Sequence, residues 1–86
     1  MIKIEIGGKV LLSTVTYFWV GEIENIDEIY IYLKNASWVG STGRFAEAIA
    51  TGNLEDVEQI GEATIARAAI VDVVDWKHAL PVPTSD

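Results

Sequence analysis

The stretch from residue 16 to residue 33, TYFWVGEIENIDEIYIYL, limits what this chain can fold into more than any other part of the sequence. Its two ends are rich in aromatic and β-branched side chains, which favour strands. The polar residues 25–28 between them are typical of a turn. Gly21 lies where a strongly bent strand can use a residue without a Cβ atom. The pattern therefore predicts a β-hairpin over residues 16–33, whose second strand spans 29–33.

Further strands are predicted on both sides of this hairpin, and together they make the protein mainly β. Residues 2–6, IKIEI, alternate apolar and polar side chains, and the Gly-Gly pair that follows predicts a tight turn. The other predicted strands are 9–12, a short one near 57–60, and 63–76 as a strand pair or one long bent strand. Residues 77–86 contain both prolines and are interpreted as a tail. Because 86 residues bury too little surface for two stable cores, we expect a single domain over 1–86.

One short helix interrupts the predicted strands. The period of the sequence changes after Asn35, and the stretch SWVGSTGRFAEAIATG predicts a helix over residues 43–51. Thr42 is a suitable N-cap, because its hydroxyl oxygen can accept a hydrogen bond from an unpaired N–H group of the first turn. Gly52 can take the left-handed conformation that commonly ends a helix.

The charge balance limits the kinds of partner that the protein can have. Thirteen acidic and six basic residues give a net charge of −7, which opposes approach to nucleic-acid phosphates. The basic residues are scattered, so no nucleic-acid binding is expected. An acidic surface suits a protein that avoids nucleic acid, or one that offers carboxylates to a basic partner. Cysteine is absent, and no apolar run approaches the roughly 20 residues that cross a bilayer, so we expect a cytoplasmic protein without membrane contact.

Two parts of the sequence resemble the Sm-like fold. The segment GEIENID, followed by IYIYLKNA, is similar to the first half of that fold, in which a bent strand carries a glycine and the next turn an aspartate. The segment ATIARAAIVDVVDW, with Arg67 before small residues and an apolar strand, resembles the second half. The resemblance covers about 16–36 and 63–76, and implies an open barrel of the SH3 type with about five strands and the short helix inserted. Tyr30 or Ile31 stands where that family places its RNA-contacting asparagine, so RNA binding is not implied.

A second resemblance runs through the segments SWVGSTGRFAEAIATG and AIVDVVDWKHALP. They resemble a family of small acidic proteins encoded in phage and prophage genomes, and the similarity covers well over half of the chain. The resemblance implies a phage origin, and with it the cytoplasm of an infected bacterial host. It implies no particular chemistry.

The turn before the predicted helix is the candidate binding site. Ser41, Thr42 and Gly43 lie where a helix leaves backbone N–H groups unpaired, so this turn can bind a phosphate or a carboxylate. Arg44 would add a planar, bidentate donor, and Trp38 can stack on a base or over the guanidinium. The spacing matches neither of the phosphate-binding patterns GxxxxGK[ST] and GxGxxG. The alternative is an ordinary capped helix whose arginine pairs with a carboxylate.

No residue pattern predicts catalysis, so we expect a protein that is not an enzyme and that holds no cofactor. His78 is the only histidine and is expected on the surface. Ser13, Thr14 and Thr16 have no neighbour in sequence that would activate their hydroxyl groups. The acidic residues between 22 and 28 do not have the spacing of a calcium-binding loop and are interpreted as a solvated turn.

Two functions from different classes follow from these observations. In the first, a non-enzymatic accessory protein of the phage type forms a homo-oligomer and captures a small anionic ligand, such as a nucleotide signal of host defence. The candidate turn and Trp38 would form that pocket. In the second, the acidic surface and the exposed sheet edges engage a host or phage protein, as an inhibitor or assembly accessory without a small ligand.

Overall fold

The computed structural model describes residues 4–81. The elements, in chain order, are β1 (Lys9–Thr14), β2 (Phe18–Ile26), β3 (Tyr30–Val39), α1 (Phe45–Thr51), β4 (Val57–Ala66), a short 3₁₀ turn (Arg67–Ala69) and β5 (Ile70–Asp75). The strands form one antiparallel sheet in the order β4-β3-β2-β1-β5. The first four strands follow one another as a meander, and β5 returns to pair with β1. The prediction of a mainly β fold with five strands and one short helix is confirmed.

The predicted hairpin of β2 and β3 is present with different bounds: β2 begins at Phe18 and continues through Ile26, so the turn lies at 27–29 and not at 25–28, and β3 extends beyond residue 33. Its register runs from Ile26 opposite Ile31 to Phe18 opposite Val39. The register of β2 with β3 shifts between Val20 and Glu22, at Gly21. A Cβ atom at Gly21 would lie 3.2 Å from the Cα atom of Ala36 on β3, which is tighter than ordinary contact. Glycine therefore permits the close approach of the two strands.

The prediction that the strand period ends at Asn35 is wrong. β3 continues through Asn35 to Val39, and Asn35 takes a positive φ of 50°. Asparagine tolerates this conformation better than most residues, so the strand can shift its register without ending. The register with β4 shifts on both sides of Ala36. As a result, Trp38 lies on a paired strand and not in a loop before the helix.

The predicted first strand is also wrong over residues 4–6, which form no strand, while residues 1–3 lie outside the described part. Ile4 is 38% and Ile6 67% exposed, so their alternation with polar residues does not place them in the buried core. The predicted turn is confirmed. Gly7 has a φ of 91°, and the N–H group of Gly8 donates to the carbonyl oxygen of Glu5 at 3.0 Å.

The apolar residues divide into two clusters. The first contains the buried residues Val10, Leu12, Ile23, Ile31, Leu33, Ala36 and Ile65. The second contains Leu11, Val20, Val39 and Trp76. Successive residues of β1 alternate between the clusters, as expected for the two faces of a strand. Ile49 of α1, Leu54 and Leu80 pack against the second cluster, so the helix and the chain after β5 both lie on that face.

The helix ends where it was predicted to end and begins later than predicted. Arg44 and not Thr42 is the N-cap residue, and no side chain caps the helix. Thr42 is unable to cap it because Gly43, with a φ of 67°, turns the chain first, and the Thr42 hydroxyl donates to the carbonyl oxygen of Gly43 at 3.1 Å. At the other end, Gly52 has a φ of 80° and its N–H group donates to the carbonyl oxygen of Ala48 at 2.8 Å.

The last part of the described chain contains two strands, in agreement with the strand-pair alternative for residues 63–76. The strand predicted near 57–60 is the beginning of the ten-residue β4. His78, expected on the surface, is half-buried, because its Nε2 atom lies 2.7 Å from the carbonyl oxygen of Ile49 and its own carbonyl accepts from Lys9 Nζ at 2.6 Å. Of the predicted tail, residues 82–86 lie outside the described part.

Candidate functional site

The turn at residues 41–44 is held together by hydrogen bonds of its own. The N–H group of Gly43 donates to Ser41 Oγ at 3.1 Å. The Ser41 hydroxyl in turn donates to Glu55 Oε1 at 3.4 Å. Thr42 is buried. Two of the groups predicted to bind an anion are therefore already engaged within the protein.

Arg44 lies beside this turn and remains free. Its guanidinium makes no hydrogen bond or ion pair with any residue between 4 and 81, so the predicted pairing with a carboxylate is not seen there. A hollow of about 160 Å³ opens next to it, lined by Thr42, Gly43, Arg44, Glu47, Ala48, Asn53, Leu54 and Glu55. The carboxylates of Glu47 and Glu55 face the same hollow and oppose the binding of an anion. The turn thus offers one free cation in an acidic setting.

Trp38 lies against a different hollow. Its ring packs in a T-shaped arrangement on Tyr17, with 4.8 Å between the ring centroids. In the register of the sheet, Trp38 is opposite Trp19 on β2 and Glu58 on β4. The hollow beside it has a volume of about 180 Å³ and is lined by Trp38, Gly40, Asp56, Val57 and Glu58. The two hollows share no residue, so the structure does not bring Trp38 and Arg44 into one cavity.

The carboxylates beside Trp38 have no partners among residues 4–81. Asp56 and Glu58 are exposed, and neither side chain makes a hydrogen bond or ion pair in that part of the chain. The backbone around them is fixed, since the N–H group of Gly40 donates to the carbonyl oxygen of Asp56 at 2.8 Å. Sequence reasoning missed this grouping. The only signal for it is the pairing of β3 with β4, which brings Trp38 opposite Glu58.

Sequence reasoning also missed a group of residues at the β2–β3 turn, where the Asp27 carboxylate accepts three hydrogen bonds. Asp27 Oδ1 accepts from the N–H groups of Ile29 at 2.8 Å and Tyr30 at 2.6 Å, and Oδ2 accepts from the Tyr32 hydroxyl at 2.8 Å. Arg67 Nη1 donates to the carbonyl oxygen of Asp27 at 2.8 Å. This link joins the β2–β3 turn to the 3₁₀ turn before β5. The sequence signal was an aspartate that can bond to the backbone two and three residues later.

These hydrogen bonds shift the ionisation of both side chains. The N–H group of Tyr30, then the hydroxyl of Tyr32 and the N–H group of Ile29, lower the pKa of Asp27 below its ordinary 3.8. The hydrogen bond to Asp27 raises the pKa of Tyr32 above its ordinary 10.0. Asp27 was predicted to be part of a solvated acidic turn. It is exposed, but its carboxylate is used to hold the turn in place.

Two larger hollows lie between α1 and β5. One of about 510 Å³ is lined by Leu11, Ser13, Phe18, Thr42, Phe45, Asp72, Val73 and Val74. The other, of about 480 Å³, is lined by Ile49, Val73, Val74, Asp75 and Lys77. Both are open and mostly apolar, and Ser13 lies opposite Asp72 in the register of β1 and β5. They show that the helix covers the second cluster incompletely on the β5 side.

The residues with chemically reactive side chains are not brought together. The Thr14 hydroxyl donates to the carbonyl oxygen of Tyr17 at 2.9 Å, whereas the His78 ring is engaged with the backbone of α1. Among residues 4–81, no group of three or more His, Asp or Glu side chains is placed to hold a metal ion. In the same part of the chain, no helix has the length and apolar character needed to cross a membrane. Comparisons with protein-family models, with curated proteins and with solved structures found no match.

Proposed function

We propose that this protein is a non-enzymatic accessory protein of the phage type that binds a basic protein partner through its acidic surface. The observation that carries the proposal is the state of its carboxylates. Residues 4–81 contain a single ion pair, between Lys34 Nζ and Glu22 Oε2 at 3.4 Å. Most of the acidic side chains behind the net charge of −7 are therefore uncompensated within the described chain. A surface of one charge accelerates encounter with partners of the opposite charge.

The protein is further proposed to act as a closed homo-oligomer. β4 and β5 lie at the two ends of the sheet order, so each has one edge that no other described strand covers. Each of these strands also carries an exposed isoleucine or valine, Ile60 at 52% and Val71 at 62% exposure. Pairing β4 of one copy with β5 of the next would cover both edges and bury both side chains.

An Sm-like barrel of the SH3 type is the fold family that we infer for the sheet. The four-strand meander, with β5 returning beside β1, supports this inference. Two further features support the inference: the close approach of β2 and β3 at Gly21, and the hydrogen bond from Arg67 to the β2–β3 turn. The same residues carry the resemblance in the sequence. This fold would also explain how an open sheet leaves two edges for association.

A small anionic ligand at residues 41–44 is the second candidate function. The observation that favours it is the guanidinium of Arg44, which has no partner among residues 4–81. Titration calorimetry with a panel of nucleotides and cyclic dinucleotides tests it directly. A bidentate contact to phosphate contributes about 1.5–3 kcal/mol, so Arg44→Ala should weaken such a ligand by roughly ten- to a hundredfold. Flat titrations of the wild type across the panel would remove this candidate.

Native mass spectrometry of the protein purified from its producing cells tests the main proposal. We expect multiples of the 9.4 kDa chain, retaining a basic protein and no nucleotide. A matched preparation washed at high salt should lose the basic protein, because salt screens exposed charges. A lone 9.4 kDa species at micromolar concentration, without any protein partner, would contradict both the oligomer and the partner.

A further inference from the structure

The hollow beside Trp38 has three features that together select one kind of ligand. Trp38 lines one side of it, and its ring packs in a T-shaped arrangement on Tyr17. Another side is formed by the carboxylate-bearing residues Asp56 and Glu58. The floor is Gly40, where an added Cβ atom would lie 3.5 Å from Asp56 Cβ and 3.6 Å from Trp38 Cη2. Any side chain at this position would fill part of the space between the ring and the carboxylates.

A hollow lined by an indole ring and two free carboxylates attracts a cation. The face of an indole ring is negative, and it is the best aromatic surface for a guanidinium or ammonium group. The two carboxylates add charge-assisted hydrogen bonds, and no group within residues 4–81 competes for them. The volume of about 180 Å³ is sufficient for the head of a single basic side chain and too small for a folded element.

We propose that the hollow formed by Trp38, Gly40, Asp56 and Glu58 binds the cationic head of an arginine or lysine side chain from a basic protein segment. The proposal rests on the proposed function and assigns the place where a partner is anchored. An arginine fits best, because its planar guanidinium can stack on Trp38 while its N–H groups reach a carboxylate. The net charge of −7 would bring such a segment to the surface, and the hollow would fix its register.

An NMR titration of the purified protein tests this site with defined probes. The probes are N-acetyl-arginine amide, N-acetyl-lysine amide and the uncharged isostere N-acetyl-citrulline amide, with spermidine as a free polyamine. The indole N–H signals of Trp38 and Trp76 report on separate places in the protein, whereas Trp19 lies opposite Trp38 in the register of the sheet. Trp38 lines the hollow, whereas Trp76 is 2% exposed and belongs to the second apolar cluster, so it serves as the internal control.

We expect the arginine probe to shift the Trp38 signal with an affinity in the millimolar range, because a single exposed head group makes few contacts. The lysine probe should bind more weakly, and the citrulline probe should not bind. The Trp76 signal should stay in place throughout. Raising the salt concentration should weaken binding of the arginine probe, because salt screens exposed charge pairs.

Three variants and one matched control locate the site. Glu58→Gln should lower the affinity for the arginine probe roughly threefold, and Asp56→Asn should lower it by a similar factor. Glu62→Gln removes the same charge from β4 outside the hollow, so it should change this affinity by less than about twofold. Gly40→Ala should also weaken binding of the arginine probe, because the added methyl group would occupy part of the hollow. Gly40 does not have a positive φ, so alanine is compatible with its backbone, and an unchanged amide spectrum would show that the fold is intact.

Three other results would overturn the proposed binding site or the proposed source of the cation. No shift of Trp38 at about 50 mM arginine probe would overturn the site, even if the purified protein still retains a basic partner, in which case the proposed function would stand. Equal weakening by Glu58→Gln and Glu62→Gln would reduce the interaction to general charge and overturn the pocket. Binding of spermidine without either amino-acid probe would overturn a protein segment as the source of the cation.

Discussion

Two regions of the surface each place an aromatic side chain beside a carboxylate, and they use the carboxylate in opposite ways. At the β2–β3 turn, Asp27 accepts three hydrogen bonds, including one from the Tyr32 hydroxyl. Beside Trp38, the carboxylates of Asp56 and Glu58 accept none from residues 4–81. Both regions are exposed. The difference lies in the donors that the local backbone supplies.

This comparison separates carboxylates that hold the fold from carboxylates that are free to bind. Asp27 sits two and three residues before the N–H groups that donate to it, so the turn itself supplies two of its three hydrogen bonds. Asp56 and Glu58 surround the start of a strand, where the backbone pairs with β3 and leaves their side chains outside the ladder. A carboxylate without partners is more available to a ligand than one that already accepts three hydrogen bonds.

The largest stability difference is expected between Asp27→Ala and Glu58→Ala. Asp27→Ala removes the acceptor of three hydrogen bonds and frees two backbone N–H groups, so it should lower the thermal midpoint severalfold more than Glu58→Ala. Glu58→Ala should stay within about 0.5 kcal/mol of the wild type, as surface substitutions usually do. Asp27→Asn should be intermediate, since the amide oxygen can still accept from the backbone. Thermal melts that rank Glu58→Ala as the more destabilised variant would contradict the comparison.

The pH dependence of stability sharpens the same comparison at Asp27. Its pKa is lower in the folded protein than the ordinary 3.8, mainly because of the N–H group of Tyr30 and the Tyr32 hydroxyl. The stabilisation is therefore complete above about pH 4 and is lost as the pH falls through the folded-state pKa. The stability gap between wild type and Asp27→Asn should narrow under acid, which denaturant titrations at several pH values can measure. A gap that widens as the pH falls would show that Asp27 is not stabilised as a carboxylate.

Tyr32 provides the corresponding test at alkaline pH. Its hydrogen bond to Asp27 raises the pKa of its hydroxyl above the ordinary 10.0, so the folded state favours the protonated form. The stabilisation is fully present below about pH 10 and is lost as the pH rises through the folded-state pKa. Tyr32→Phe should remove this loss of stability at high pH. Absorbance titration of wild type and variant would show the raised pKa of Tyr32 directly. An ordinary titration of the wild-type tyrosines, without a raised component, would contradict the hydrogen bond.

The smallest expected effect distinguishes two arginines. Arg67→Ala removes the hydrogen bond to the carbonyl oxygen of Asp27 and should cost about 1 kcal/mol, in line with single hydrogen bonds in proteins. Arg44→Ala should change stability by less than about 0.5 kcal/mol, because Arg44 contacts no partner in the described chain. Chemical denaturation of the two variants measures both values. A larger loss for Arg44→Ala would show that the turn at 41–44 depends on it.

The sequence predicts the local parts of this fold and misses what depends on pairing. The β2–β3 hairpin follows from aromatic and β-branched segments on both sides of a polar turn, and the close approach at Gly21 from a missing Cβ atom; both act within one segment. The continuation of β3 past Asn35 does not, because a left-handed asparagine in a strand has the same sequence signature as the end of one. The strand predicted at residues 2–6 rested on alternation alone, and over 4–6 no strand forms because Ile4 and Ile6 stay outside the buried core.

The same limit applies to the candidate sites. The residues of the turn at 41–44 are adjacent in sequence, so their proximity was predictable, but the carboxylates of Glu47 and Glu55 beside them were not. Trp38 was chosen because it lies close to Arg44 in sequence. Its neighbours across the sheet are Trp19 on β2 and Glu58 on β4, and only the register of β3 and β4 brings Trp38 and Glu58 together.

An amide-resolved NMR titration with N-acetyl-arginine amide tests the contrast between the two regions most directly. We predict that the signals around the hollow, above all the Trp38 indole and the backbone of Gly40 and Glu58, shift together and saturate. The amides of Ile29 and Tyr30, which donate to Asp27, should remain unchanged. If the signals of Ile29 and Tyr30 shift while those of Trp38 and Glu58 do not, then the cation binds at Asp27 and not at Asp56 and Glu58. That result would contradict the proposed binding site.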